Sequence, residues 1–262
     1  MSLTQRVLAP LLFGVVLIGC WYTGIAVFSV PEYQLPAPHR IIEAGIDERG
    51  QLMQGVMQTT LASVVGFLCS VVGGLALSLL LATSDWIYRS MWPYILVLKM
   101  TPVIVVAPII LLWAGQGLFS IVIITFLVCF FPIVANTTMG LRSADPGLLD
   151  LFKVYQCKSW QEMLWLRVPS SLPFFMTGLR IAAALTPIGA LYGDTIAGMG
   201  SRDEAGLGFL VIIFNSQFKI PALFAAALAA CVIGFLFVGV VNLIAWLTLR
   251  RWHESYLQDQ AP

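Results

Sequence analysis

The residues of this 262-residue sequence with the most varied chemistry lie in one stretch, Leu141–Asp194, which separates a very apolar run from another. Asp150, Lys153, Gln156, Lys158, Ser159, Glu162 and Arg167 alternate there with Leu148, Phe152, Tyr155 and Trp160. Acids, bases and amides mixed with large apolar side chains suit recognition by shape and hydrogen bonding. The stretch ends on Asp194, a carboxylate in an apolar helix, which by default marks a functional position. The alternative for Asp194 is an acid at headgroup level paired with Arg202.

No bond-making constellation competes with this region. His39 and His253 stand alone, with no H-E-x-x-H or Cys/His cluster to ligate zinc. Cys20, Cys69, Cys129, Cys157 and Cys231 show no C-x-x-C spacing, and all but Cys157 lie in apolar runs, so they read as small core residues. A Gly-x-x-x-x-Gly-Lys-Ser/Thr phosphate loop is absent, so the chain does not bind and hydrolyse ATP by that route. No enzyme activity, metal or cofactor is expected on this chain.

The elements that must position these residues follow from composition. Hydrophobic residues make up 59% and charged residues 10%, against about 45–50% and about 25% in soluble domains. The chain reads as an integral membrane protein surrounded by lipid, and a net charge of +1 gives no reason to expect a nucleic acid. A bilayer core of about 30 Å needs about 20 apolar residues as a helix. Stretches at roughly 8–30, 56–82, 93–114, 118–135, 174–197 and 222–249 qualify. The expected fold is therefore all-α with six transmembrane helices in a single domain, 1–262. Leu17-Ile18-Gly19-Cys20 looks like a lipoprotein cleavage box, but the chain stays apolar from Trp21 to Val30, favouring an uncleaved first span. Placing the N-terminus in the cytosol puts Arg6, Arg89, Arg142, Lys153, Lys158, Arg167, Arg250 and Arg251 inside and leaves Arg40, Arg49, Arg202 and Lys219 outside. The positive-inside rule thus predicts both termini in the cytosol.

With that orientation the loop 142–172 is cytosolic and carries two helix starts. Asp145-Pro146 supplies an N-cap and a first-turn proline, followed by an apolar stripe of Leu148, Leu151, Phe152 and Tyr155. Ser159-Trp160-Gln161-Glu162 reads as a capping box, and the second helix should stop before Pro169. Two short amphipathic helices between spans suit docking into a partner's groove; the other reading is an element lying on the membrane surface.

This loop resembles the cytoplasmic signature of ABC-importer permeases, Glu-Ala-Ala, three residues, Gly, nine residues, then Ile-x-Leu-Pro. The matching positions are Asp150-Leu151-Phe152, Gln156 and Leu166-Arg167-Val168-Pro169. The acid, the spacing and the last proline agree; the alanines and the glycine do not. A glycine there would end the first helix in left-handed geometry, so Gln156 predicts a different ending. Pro102, Ala107-Pro108 and Leu112–Gly115, then Phe131–Thr137, Gly178–Ala184, Pro187–Ala190, Gly193-Asp194 and Gly206-Leu207-Gly208 are similar to the nitrate, sulfonate, taurine and pyrimidine permease group. The pattern is nearest to permeases for hydroxymethylpyrimidine-type thiamine precursors.

The resemblance implies a type I ABC-importer permease fold in the bacterial inner membrane. It implies a second permease copy, two ATP-binding subunits that hold the ATP and magnesium, and an extracytoplasmic solute-binding protein. The ATPases would dock on Asp145–Pro169, using Asp150, Phe152, Tyr155, Gln156, Ser159, Trp160, Glu162 and Pro169. The binding protein would meet the outer rim at Pro31–Gln54 and Gly198–Lys219. Alternating access would re-orient the third to fifth spans, with Asp194, Pro187, Thr186, Pro102 and Pro108 as pathway or gating candidates. Pro187 and Gly189 should break the phase of the fifth span. Lys99 and Arg180 read as snorkelling residues, and Trp113, Phe126, Phe130 and Phe131 as packing or an aromatic clamp. The rival class is an ion-coupled secondary transporter using Asp194, which predicts paired inverted repeats that the two halves do not show.

Overall fold

The structure, a computed structural model, describes residues 3–198 and 205–249. It is helical among those residues. The helices are α1 (Leu3–Phe28), α2 (Pro38–Asp47), α3 (Arg49–Thr83), α4 (Asp85–Met100), α5 (Val103–Ala114), α6 (Leu118–Arg142), α7 (Pro146–Val154), α8 (Ser159–Glu162), α9 (Val168–Ala197), α10 (Leu207–Ser216) and α11 (Ile220–Leu249). A π-helical turn, Met163–Arg167, joins α8 to α9, so the chain is helical without a gap for 39 residues from Ser159 to Ala197.

Four helical runs among the described residues are long and apolar enough to cross a membrane: Arg49–Thr83, Leu118–Arg142, Ser159–Ala197 and Ile220–Leu249. Several expected boundaries shift. The second span begins earlier, at Arg49, and its 35 residues extend over about 52 Å. The stretch 93–114 is not one straight span. It breaks at Thr101-Pro102, where α4 and α5 meet at 95°. Thr101 (ψ 120°) is held extended by the proline that follows it, and Pro102 then caps α5. Alone, the 12-residue α5 reaches only about 18 Å, too short to cross a bilayer. The loop Pro31–Gln54 contains α2, whose buried Ile41 and close approach of Gly45 to Ala225 dock it on the start of α11.

The core forms where α6 and α9 pack along their length against α3. Gly178, Gly189 and Gly193 of α9 lie within about van der Waals reach of the α6 backbone: an added Cβ would come 3.1–3.2 Å from Pro132 O, the Thr125 Cα or the Ile121 Cα. Small residues at such crossings let backbones approach when lipid supplies no hydrophobic drive between helices. Hydroxyls tie the same helices: Ser70 Oγ donates to Phe126 O at 3.0 Å and Ser78 Oγ to Val134 O at 3.3 Å, both from α3 to α6. Phe126, Phe130 and Phe131 pack on one another at 4.9 and 5.4 Å between ring centroids. Trp113, by contrast, is exposed.

α9 does not lose its helical course at Pro187 or Gly189. Pro187 is buried within it, and Thr186 Oγ1 returns to Ala182 O at 2.8 Å while meeting Cys129 Sγ at 3.1 Å. Pro169 does not stop the second helix of the 142–172 loop either. The wider π turn ahead of it relieves the clash its ring would make with the carbonyl four residues back, and the missing N–H falls in the first turn of α9. α1 is different from the rest: most of its described side chains, including Phe13, Val15, Leu17 and Val27, are exposed, Trp21 and Ile25 are half-buried, and among the described residues no other helix packs extensively against it. Its ties are Tyr22 to His39, at 3.0 Å between Oη and Nδ1, at the start of α2.

Candidate functional site

Two regions bring together the polar residues of the chain, one at each end of α9. On the side taken as cytosolic, α7 is set by its caps. Asp145 Oδ1 accepts from the Gly147 amide at 2.6 Å and from the Leu148 amide at 3.3 Å, as the Asp-Pro start predicts. Its other end corrects an expectation. Gln156 adopts φ 54°, the left-handed conformation that a glycine would take, and the helix closes in the double hydrogen-bond pattern such an ending uses. The Gln156 amide donates to Lys153 O at 2.9 Å and the Cys157 amide to Phe152 O at 3.0 Å. The two closing bonds hold Gln156 there despite a cost of roughly 1–2 kcal/mol for a residue with a Cβ. Gln156→Gly is therefore expected to stabilise the protein by up to about 1 kcal/mol, seen as a higher midpoint of thermal unfolding in detergent.

α7 buries none of its side chains, and no helix packs extensively against it. Leu148, Leu151, Val154 and Tyr155 are exposed, while Phe152 is half-buried. Asp150 pairs with Lys153 at 2.9 Å in the open, which raises the Lys153 pKa through that hydrogen bond and contributes little to stability. The second start differs from the expected capping box. Lys158, not Ser159, is the N-cap, because the Gln161 carboxamide oxygen accepts the Lys158 amide at 2.7 Å. Glu162 is instead engaged by Arg167, with 2.7 Å between Nη2 and Oε1. Arg167 Nη1 also donates to Leu141 O at 3.4 Å, fixing the returning chain to the end of α6. Next to it, Arg142 reaches Asp85 at 2.5 Å and lies 4.0 Å over the Tyr88 ring. Trp160, Leu164 and Trp165 remain exposed beyond this clamp. The region thus presents a rigidly held base with a bare apolar face.

The other end of α9 holds Asp194, which is 1% exposed. Its carboxylate caps α10: Oδ1 accepts from the Gly206 amide and Oδ2 from the Phe209 amide, each at 3.0 Å. Of the two amides between them in the first turn, that of Leu207 donates to Thr59 Oγ1 of α3 at 2.9 Å. The orphan donors of a helix N-terminus favour an anion, so among the described residues the Asp194 carboxylate is met by backbone amides. A Cβ on Gly206 would run into this carboxylate and one on Gly208 into Leu191 O, which explains the Gly-Leu-Gly run as a close approach of α10 to α9. Arg202 lies outside the described residues. Gly117 N donates to Ala197 O at 3.0 Å and so anchors the end of α9 to the tight turn before α6. That turn needs its glycines, with φ 77° at Gly115 and 109° at Gly117.

A cavity of about 210 Å³ opens beside the cap, lined by Gln58, Thr59, Leu61, Ala62, Leu118, Ile121 and Asp194. Thr59 and Gln58 escaped the sequence reading. They open the short polar run Gln58-Thr59-Thr60 near the start of α3, and only their neighbourhood in space with Asp194 gives them weight. Pro102 and Pro108 are exposed along the broken α4–α5 pair, and Thr186 and Pro187 are buried two turns below Asp194. The structure does not bring these four to the cavity. Among the described residues no group of His, Cys, Asp and Glu could hold a metal ion.

Comparison with known proteins agrees with this architecture. Residues 70–251 match the family model of the binding-protein-dependent transport system inner membrane component. The chain is 35% identical to the formylaminopyrimidine transport permease protein ThiX of Halalkalibacterium halodurans over 90% of this chain and 92% of that one. It is 30% identical to the riboflavin transport system permease protein RibX of Chloroflexus aurantiacus, over 90% and 86%. Among solved structures, an inward-facing form of the MetNI methionine ABC transporter aligns with a TM-score of 0.65 at 15% identity, covering 76% of this chain and 96% of that one.

Proposed function

The chain belongs to the family of binding-protein-dependent transport system inner membrane components, and from that premise we propose which solute it carries and how it is driven. It is a multi-pass inner-membrane permease with the type I ABC-importer fold. The proposed solute is a small pyrimidine of the formylaminopyrimidine kind, with nitrate and sulfonates as the other solutes of the group. Identity to the formylaminopyrimidine permease along almost the full length of both chains carries this reading. Two copies line one pathway. In favour of a second copy stands α1, an apolar helix that its own chain leaves uncovered.

Two separate ATPase subunits hold the ATP and magnesium and dock on Asp145–Pro169, and a solute-binding protein delivers from outside. The bare apolar face of α7, carried on the Arg167–Glu162 clamp, supports the docking role. The positive-inside balance supports cytosolic termini. Nucleotide-driven closure of the ATPases would move α7 and α8 and re-orient the bundle by alternating access. In this scheme the Thr101-Pro102 elbow and Pro108 serve as flexing points. Thr186 and Pro187 form a stiff buried segment, and Asp194 acts through α10.

Cells lacking their own uptake route and expressing the chain with its ATPase and binding protein should accumulate labelled formylaminopyrimidine in an ATP-dependent manner. Accumulation of nitrate or an alkanesulfonate in its place would overturn the proposed solute.

A further inference from the structure

The cavity beside the α10 cap contains a polar group that the fold does not use. Gln58 lies at the head of the polar run Gln58-Thr59-Thr60 in the first part of α3, is half-buried, and lines the cavity, yet its carboxamide hydrogen-bonds to no other described residue. A carboxamide offers two donors and an acceptor on one planar group, so Gln58 brings unspent hydrogen-bonding capacity to the cavity wall. Its polar neighbours are already engaged. Both Asp194 oxygens accept amides of α10, and Thr59 Oγ1 accepts the Leu207 amide while keeping its own hydrogen to donate. The remaining wall is apolar and includes Leu61, Leu118 and Ile121.

We infer that this cavity is a solute-contact site on the outer part of the pathway, in which Gln58 reads the hydrogen-bonding edge of a neutral single-ring heterocycle. The inference rests on the proposed import function and names the residue that selects within it. The size is suited to one ring: about 210 Å³ is room for roughly seven waters at about 30 Å³ each and falls below the about 300–1,000 Å³ of drug-sized sites. The lining favours a neutral ring: among the described residues no Lys or Arg lines the cavity to hold an anion such as nitrate or a sulfonate. A ring nitrogen beside an exocyclic amine presents an acceptor and a donor side by side, the complement of the Gln58 amide, while the apolar wall takes the ring faces.

Uptake of labelled formylaminopyrimidine by cells carrying the complete transporter tests this. Wild-type uptake checks the underlying solute reading first; if wild type does not import this probe, that reading and the site fall together. Given wild-type uptake, Gln58→Met keeps the length and removes the hydrogen bonds. Its maximal uptake rate per transporter should fall about tenfold or more. The half-saturating concentration, governed by capture on the binding protein, should stay within about twofold, and ATP hydrolysis stimulated by the binding protein should persist. Gln58→Asn, which keeps the amide, should recover a substantial part of the rate. A wild-type maximal rate in Gln58→Met overturns the site while leaving the import function standing. So does a loss of rate in both variants that merely follows a loss of transporter from the membrane.

Discussion

Asp194→Ala should sharply reduce the amount of folded permease and abolish uptake with it. The substitution leaves the buried Gly206 and Phe209 amides without acceptors, and each orphaned buried donor costs about 1–3 kcal/mol, so the expected loss is about 2–6 kcal/mol. Few proteins have that much in reserve. Asp194→Asn should be milder, since its carbonyl oxygen still accepts one amide, although its NH₂ then faces the other and the attraction of an anion to the helix terminus is gone. Thr59→Val, which removes the acceptor for the Leu207 amide, should act on the same element, so its effect and that of Asp194→Asn should be non-additive. Unfolding midpoints in detergent, with membrane abundance, measure all three. Normal abundance and normal uptake for Asp194→Ala would remove the capping role.

Tyr155→Asp should detach the ATPase from an otherwise intact permease. Tyr155 is 74% exposed at the end of α7, so a charge there disturbs no packing within the chain. Phe152 is a poorer probe, because its ring is half-buried and its carbonyl closes the helix end. A charge at the centre of an apolar docking face costs several kcal/mol of binding, enough to drop the co-purified ATPase to below about a tenth of wild type. Leu151→Asp, also exposed, should do the same. Unchanged ATPase stoichiometry in both variants would end the docking proposal. Loss of the permease itself from the membrane would favour the reading in which α7 lies on the lipid surface.

The signals that the sequence carried best were those set by local chemistry. Apolar run length placed spans at roughly 56–82, 118–135, 174–197 and 222–249, which fall within the longer runs Arg49–Thr83, Leu118–Arg142, Ser159–Ala197 and Ile220–Leu249, and Asp145-Pro146 located the start of α7. What escaped depended on partners distant along the chain or on competition between neighbours. Ser159 was an acceptable cap, but Gln161 could reach the Lys158 amide and Arg167 claimed Glu162. Gln156 was expected to avoid positive φ, yet two closing hydrogen bonds hold it there. Pro102 broke a span where Pro187 did not. The preceding Thr101 is free to extend between two short helices, whereas Pro187 is buried within the continuous α9, beside Gly234 of α11. The cavity had no linear signature, since Gln58, Leu118 and Asp194 meet only when α3, α6 and α9 assemble.

The unbroken helical run from Ser159 to Ala197 makes the α7–α8 base and the α10 cap the two ends of one continuous lever, about 58 Å long at 1.5 Å per residue. A tilt of about 10° about the base would swing the far tip by about 10 Å over that length, while a hinge anywhere along it would absorb the stroke. Inserted Gly pairs midway would therefore act as a clutch. The π turn at Met163–Arg167 sits at the driven end, next to the Arg167–Glu162 clamp, where compliance sacrifices the least travel.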